Sequence, residues 1–263
     1  MKELENKNYI AHYTNLDTAL NYILPSNKLR FGTAGKVNDP YENKIDWLED
    51  DPSTTLTLDC PDKLNKIRTL ISNHIKLLCV THFRDLEKHE TGIENLYYAI
   101  PLMWAHYGNK HKGACLIFDK EELGKEIEKI PVEGKIIRKK VEYCSFLSTV
   151  GDGGGIAVDR ALLTNMIGDT KLLYNEVNKN AYLETKFFRK TKCWEIENEY
   201  RWLLFSKTYN DVFVNYKNSL KAIILGDDFD LREIDKVRMY KPDAHGLYQL
   251  SCIYGKYQLD HFD

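Results

Sequence analysis

The segment Trp194-Glu195-Ile196-Glu197-Asn198-Glu199-Tyr200-Arg201-Trp202-Leu203-Leu204-Phe205 holds the residue types best suited to chemistry in this chain. Read as a strand, its side chains alternate between two faces. Ile196, Tyr200, Trp202 and Leu204 then share the core side. Glu197, Glu199 and Arg201 share the other, each about 7 Å from the next. Like carboxylates on one face repel unless a cation or a ligand occupies the space between them. With Arg201 alone the group is a solvated ion-pair ladder. With a ligand present, one carboxylate grips a sugar hydroxyl and the other handles a proton or stabilises developing positive charge.

Other residues are candidates for the same cleft. His12-Tyr13-Thr14 closes a short strand just before a helix N-terminus, where free N–H groups and the helix dipole favour an anion. His12 is otherwise a core or capping residue. Asn38-Asp39-Pro40-Tyr41-Glu42 has the spacing of a turn with an Asx-type hydrogen bond. Trp104 and Tyr107, three apart on a helix, form either an aromatic wall for a planar base or ordinary core. His106 and His111 lack the i, i+4 spacing of a helical metal pair and no HExxH occurs, so no metal is expected. Gly151-Asp152-Gly153-Gly154-Gly155 reads as a linker or loop, because no Lys-Ser/Thr follows it and no GxGxxG opens a helix. A GxSxG elbow is also missing, which leaves a hydrolase triad without support.

These residues need elements to position them. The pattern predicts a strand over 9–13, then a helix capped by Thr14 with Asp17 completing a capping box, and ended by Pro25. Further strands are expected at 29–32, 77–83, 113–118 and 134–143, with helices from Pro101 and over 120–130 and a mostly helical stretch over 157–190. The C-terminal third returns to strands at 196–206, 221–226, 237–240 and 247–254. Strands and helices mix without a regular βαβ alternation, which predicts an α+β fold and not a doubly wound sheet.

Composition sets the outer limits. The 263 residues are 43% hydrophobic and include 37 Lys+Arg against 39 Asp+Glu, for a net charge of −2. One α+β domain over 1–263 is expected, with no uniform basic field for general nucleic-acid binding. A local basic strip, Lys-Ile-Ile-Arg-Lys-Lys at 135–140, is the exception. No apolar stretch approaches the ~20 residues that span a bilayer, and the N-terminus lacks the apolar core of a secretory signal. Cysteines 60, 79, 115, 144, 193 and 252 stand singly with no CxxC, as reduced core thiols of a cytoplasmic protein do.

Taken in order, His12-Tyr13-Thr14, Phe31 with Asn38-Asp39-Pro40-x-Glu42, Leu102-Met103-Trp104-x-His106-Tyr107 with His111-x-Gly113, and Lys190-x3-Trp194-x2-Glu197-x-Glu199-x-Arg201 resemble a bacterial family known as domain of unknown function 2971. The resemblance covers about residues 9–226 and leaves 227–263 as C-terminal strands, with Tyr41 standing where Phe is usual. The opening stretch from His12 to Leu24 is also similar to the first strand and helix of the ADP-ribosyltransferase-like fold.

That likeness implies a mixed or antiparallel split sheet with flanking helices, and NAD as the substrate. It implies that Glu199 is the catalytic carboxylate, that Glu197 orients the acceptor or ribose beside Arg201, and that His12 holds the adenosine-side ribose. Tyr13 or Tyr107 stacks on nicotinamide, and Thr14, Asn38, Trp104 and His106 complete the binding set. The implied activity is an ADP-ribosyltransferase or NAD glycohydrolase, a toxin-like effector in bacterial stress or antiphage defence with an unidentified macromolecular acceptor. Two alternatives stand beside it. One is a nucleic-acid-directed hydrolase using His12, Glu197, Glu199 and His106; the other is a non-catalytic nucleotide-sensing or partner-binding module.

Overall fold

The computed structural model describes residues 4–39, 48–50, 60–83, 92–145, 156–158, 165–166, 168–178 and 182–262. In chain order the strands are β1 (Tyr9–Thr14), β2 (Lys28–Thr33), β3 (Leu48–Asp50), β4 (Ile75–His82), β5 (Ala114–Asp119), β6 (Glu133–Lys140) and β7 (Glu142–Cys144). They continue with β8 (Ile156–Val158), β9 (Arg189–Thr191), β10 (Glu199–Phe205), β11 (Val212–Asn215), β12 (Leu220–Leu225), β13 (Gly246–Ile253) and β14 (Lys256–Phe262). Ten of them form one sheet, antiparallel except where β12 runs parallel to β13. Two small parallel pairs, β3 with β8 and β7 with β9, stand apart from it. The result is an α+β fold with a mostly antiparallel sheet.

The sheet forks at β4. Thr81 pairs with Glu199 of β10 and also with Ala11 of β1, while Leu77 pairs with Leu203 of β10 and with Gly32 of β2. A strand has two hydrogen-bonding edges and β10 fills one of them along its length. So β1 and β2 leave the same remaining edge of β4 at opposite ends. The edge at Leu78, Cys79 and Val80 lies in the gap between them.

Side-chain alternation assigns the two faces of β4 and β10 to different surroundings. Leu78, Val80, Trp202 and Leu204 join Ile10, Phe31, Leu116 and Ile223 in one core. On the opposite face Leu77, Leu203 and Phe205 pack against Ile67, Ile71, Leu173 and Phe187. Farther along that second face the apolar residues give way to Cys79, Thr81, Arg201 and Glu199. A third core gathers Tyr13, Tyr97, Tyr98, Trp104, Ile117 and Leu250 beyond β1.

Several local expectations are corrected. Thr14 is the last residue of β1, paired with Ala114, so the cap moves to Asn15, whose Oδ1 accepts the Thr18 N–H at 2.7 Å. The helical run then passes Pro25 to end at Ser26, with Asn27 in the left-handed region. Residues 237–240 form no strand: Ile234–Arg238 is a short helix, with Asp230 accepting the Arg232 N–H in the turn before it and Lys236 and Arg238 in its last turn. The stretch 157–190 is less helical than expected. It begins within β8, holds the helices Thr170–Val177 and Tyr182–Phe187, and runs into β9. Cys115 is buried, but Cys193 and Cys252 are exposed, so the expectation of core thiols fails for those two. Among the described residues no helix is long and apolar enough to cross a membrane. Pro40, Tyr41 and Glu42 and the glycine run 151–155 lie outside the described residues.

Candidate functional site

The 194–205 segment is not one strand. Lys192–Glu197 is a 3₁₀ turn, and β10 begins only at Glu199. The change of direction occurs at Asn198, whose φ of 43° lies in the left-handed region that Asn tolerates better than most residues. Its amide is used as well, Nδ2 donating to the His82 carbonyl at 2.7 Å while the His82 N–H returns to the Asn198 carbonyl at 3.0 Å. Glu197 therefore approaches from the turn and Glu199 from the strand. The two carboxylates still meet.

What joins them is Lys190 on β9. Its Nζ lies 2.6 Å from Glu197 Oε2 and 2.9 Å from Glu199 Oε2, with the Trp194 ring centroid 5.3 Å away. Arg201 grips Glu199 bidentately, Nε to Oε1 at 2.5 Å and Nη2 to Oε2 at 2.8 Å, while its Nη1 donates to the Phe187 carbonyl at 2.7 Å. The expected solvated face is thus a buried one: the four residues are between 1% and 5% exposed. Burial raises the Glu199 pKa, but the charges of Arg201 and Lys190 and its hydrogen bonds outweigh that and bring it down to about 2. The Cys79 thiol also bonds to Glu199, and burial followed by that carboxylate pushes its pKa up. Tyr143 Oη accepts the Glu199 N–H at 2.9 Å.

Tyr107 reaches the quartet from the other side. It follows the helix Pro101–His106, and its hydroxyl donates to Glu197 Oε1 at 2.6 Å. Burial first and the Glu197 charge second hold its proton on, and Asn38 hydrogen-bonds the same hydroxyl. The chain leaves this helix through three consecutive non-glycine residues with positive φ, Asn109, Lys110 and His111. Gly113 and Gly226 make that path possible. A Cβ on Gly113 would stand 2.2 Å from the Thr14 carbonyl oxygen, and one on Gly226 2.1 Å from that of His111.

The quartet lines a cavity of about 620 Å³ that opens at the fork of the sheet, within the ~300–1,000 Å³ usual for small-molecule sites. His12, Tyr13, Asn38 and Tyr107 line it too, as do Thr81, Cys79, Arg30 and Lys36. His12 is half-buried. Its ring hydrogen-bonds the main chain of Cys79, in the gap between β1 and β2, and burial lowers its pKa. Tyr13 Oη donates to the Tyr97 carbonyl at 2.9 Å, so its hydroxyl is committed to the protein. Thr81 Oγ1 is buried in the cavity wall with no hydrogen-bond partner among the described residues.

Three expected binding residues lie elsewhere. Trp104 is fully buried in the third core, its Nε1 donating to the Tyr98 carbonyl at 3.0 Å and its ring edge-on to Tyr13. It packs as core and forms no wall of the cavity. His106 is exposed on the helix, away from the cavity, and Thr14 is a buried strand residue. Sequence reasoning in turn missed Lys190 as the bridge, Cys79 and Thr81 as wall residues, and Arg30 and Lys36 as charges at the cavity. Lys190 had a signal, its place in the Lys-x3-Trp-x2-Glu spacing; the others come together only through strand pairing. The basic strip at 135–140 is laced with acids, Lys135 pairing with Glu184 at 2.9 Å and Arg138 with Glu128 at 3.1 Å. Among the described residues no group of three or more His, Cys, Asp or Glu is placed to hold a metal ion.

Residues 103–202 match the family described as Protein of unknown function (DUF2971). That span includes Tyr107, Lys190, Glu197, Glu199 and Arg201, most of the chemistry in the cavity wall. No curated protein and no solved structure matches the chain.

Proposed function

We propose that this cleft binds an anionic dinucleotide of the NAD type and that the protein consumes it, as an ADP-ribosyltransferase or NAD glycohydrolase on an ADP-ribosyltransferase-like fold. One observation carries the reading. The fork of the sheet gathers His12, Tyr107, Glu197 and Glu199 around a single cavity of about 620 Å³.

Charge supports the ligand class. The whole chain is net −2, yet among the described residues four cations and two carboxylates line the cavity: Arg30, Lys36, Lys190 and Arg201 against Glu197 and Glu199. A cationic cleft in an acidic protein draws in phosphate-bearing anions. The buried Thr81 hydroxyl, without a partner among the described residues, offers a hydrogen bond that a sugar or water completes. In the reaction the C1′–nicotinamide bond breaks and its electron pair leaves on nicotinamide. The positive charge moves to C1′, where a carboxylate in a water-poor cleft stabilises it. An acceptor O–H or water then forms the new C1′–O bond and gives up its proton.

A second reading, a nucleotide-sensing module without turnover, is favoured by the saturated state of Glu199, whose oxygens are held by Arg201 and Lys190. Incubation with NAD separates the two. Release of nicotinamide with or without added acceptor supports the enzyme. Thermal stabilisation by NAD or ADP-ribose without release supports the sensor. A protein that neither releases nicotinamide nor is stabilised by NAD or ADP-ribose refutes both.

A further inference from the structure

We infer that Glu197, on the 3₁₀ turn, is the carboxylate that faces the reacting sugar, and that Glu199 is a positioning residue that holds Lys190 and Arg201 in place. This assignment rests on the NAD-consuming reading above and reverses the roles that the fold resemblance implies.

The reasoning is a count of acceptor capacity. An ionised carboxylate offers about four lone-pair sites. Glu199 has them occupied: two by the bidentate Arg201, one by Lys190 and one by the Cys79 thiol. Three of those four donors belong to cations that are themselves buried, so admitting a ribose hydroxyl there means breaking a buried, charge-assisted contact. Glu197 accepts only two hydrogen bonds among the described residues, from Tyr107 Oη at 2.6 Å and Lys190 Nζ at 2.6 Å. It keeps one acceptor site on each oxygen. One of its two donors is a neutral hydroxyl, whose O–H can turn to another acceptor without breaking an ion pair.

Backbone geometry points the same way. Glu199 is fixed in β10 between Thr81 on one side and Lys139 and Lys140 beyond Arg201 and Tyr200 on the other. Glu197 sits at the end of a short 3₁₀ turn, one residue before the left-handed Asn198. When C1′ becomes cationic, Glu197 faces it with acceptor sites to spare, and it is the group placed to take the proton that the acceptor loses. Tyr107, released from Glu197, turns its hydroxyl toward the departing nicotinamide or ribose.

Steady-state nicotinamide release by wild type, Glu197→Gln and Glu199→Gln tests this, with folded fraction read from the melting curve of each. Glu197→Gln is expected to lower kcat on the order of 10²–10³-fold with KM little changed, as for removal of a transition-state electrostatic contact. Glu199→Gln is expected to lower the melting temperature, while its folded fraction keeps kcat within about tenfold of wild type. Should Glu199→Gln fail to fold, Glu199→Asp retains the charge and is read by the same criterion. A Glu197→Gln enzyme with more than a tenth of wild-type kcat, or a folded Glu199 variant as inactive as Glu197→Gln, overturns the assignment while the function stands. A wild type that releases no nicotinamide overturns the functional reading, and this assignment with it.

Discussion

Lys190→Met is the sharpest perturbation of the site that needs no ligand. The ammonium bridges two carboxylates whose side chains are each 6% exposed. Methionine keeps a side chain of similar length and removes the ammonium, with its ion pairs and its place 5.3 Å from the Trp194 ring centroid. Glu197 and Glu199 are then left with one guanidinium between them, and of the two acids it is Glu199 that it grips. Breaking a buried ion pair from one side costs about 3–5 kcal/mol, which in a chain of this length lowers Tm on the order of 10 °C. The pH dependence distinguishes this cause from lost packing. In the wild type Glu199 has its pKa depressed to about 2, so its stabilisation is complete above the unfolded value near pH 4.3 and is lost as pH falls from there toward 2. In Lys190→Met the facing like charges raise the affinity of the folded pair for a proton. The variant therefore recovers stability as pH falls from 7 to 5, while this group leaves the wild type unchanged. Urea unfolding followed by tryptophan fluorescence at pH 7, 6 and 5 measures the gap. A difference below about 1 kcal/mol at pH 7, or one that stays constant down to pH 5, refutes the picture of a charge-bridged carboxylate pair.

Two other outcomes follow from different parts of the fold. Burial, then the charges of Lys140 and Lys120, bring His82 down to about 4, so its neutral form is preferred in the folded state; that stability is intact above about pH 6.5 and lost as pH falls toward 4. At pH 5 the loss is about 2 kcal/mol, and His82→Gln should flatten this part of the urea-midpoint profile measured between pH 7 and 5. Gly113→Ala places a methyl 2.2 Å from the Thr14 carbonyl oxygen, so β1 must move; a loss of about 1–3 kcal/mol in urea unfolding and weaker ADP-ribose binding in a thermal-shift titration are expected. Gly168→Ala, with nothing among the described residues within 4 Å of its added methyl, is the control that should leave both unchanged.

The residue types of the site were legible in the sequence; their geometry was legible only in part. Glu197, Glu199 and Arg201 stand out because acids at i and i+2 beside an arginine invite a strand reading with all three on one face. That reading fails at Asn198. The local sequence cannot say that the chain turns left-handed there, although Asn is the residue type that permits it. Trp104 and Tyr107 illustrate the opposite limit. Spacing of three puts two aromatics on one helix flank, and only the packing of Tyr13 and Tyr98 around Trp104 decides that one is core while the other meets Glu197. Apolar runs mark β2, β4, β5 and β12, while no strand is read from the sequence at β3, β8, β9 or β11, and at 237–240 Val, Met and Tyr outweigh the weak helix signals around them. The fork at β4 was beyond reach of any local pattern. It depends on Ala11 and Gly32 pairing with residues more than forty positions away.

That fork also bears on why a four-charge cluster sits in the interior at all. Buried ion pairs are a poor route to stability, since apolar residues of similar volume often serve as well or better. Here Glu197, Glu199, Lys190 and Arg201 occupy the end of a face whose other end is Leu77, Leu203 and Phe205, an apolar surface that had only to continue. The change from apolar to charged coincides with the place where β1 and β2 part and the edge of β4 is left to the His12 ring and the cavity. The charged cluster thus stands where the cavity of about 620 Å³ adjoins the sheet, as a ligand-holding role would require. Within it, the acid with acceptor sites to spare is the one a substrate can use.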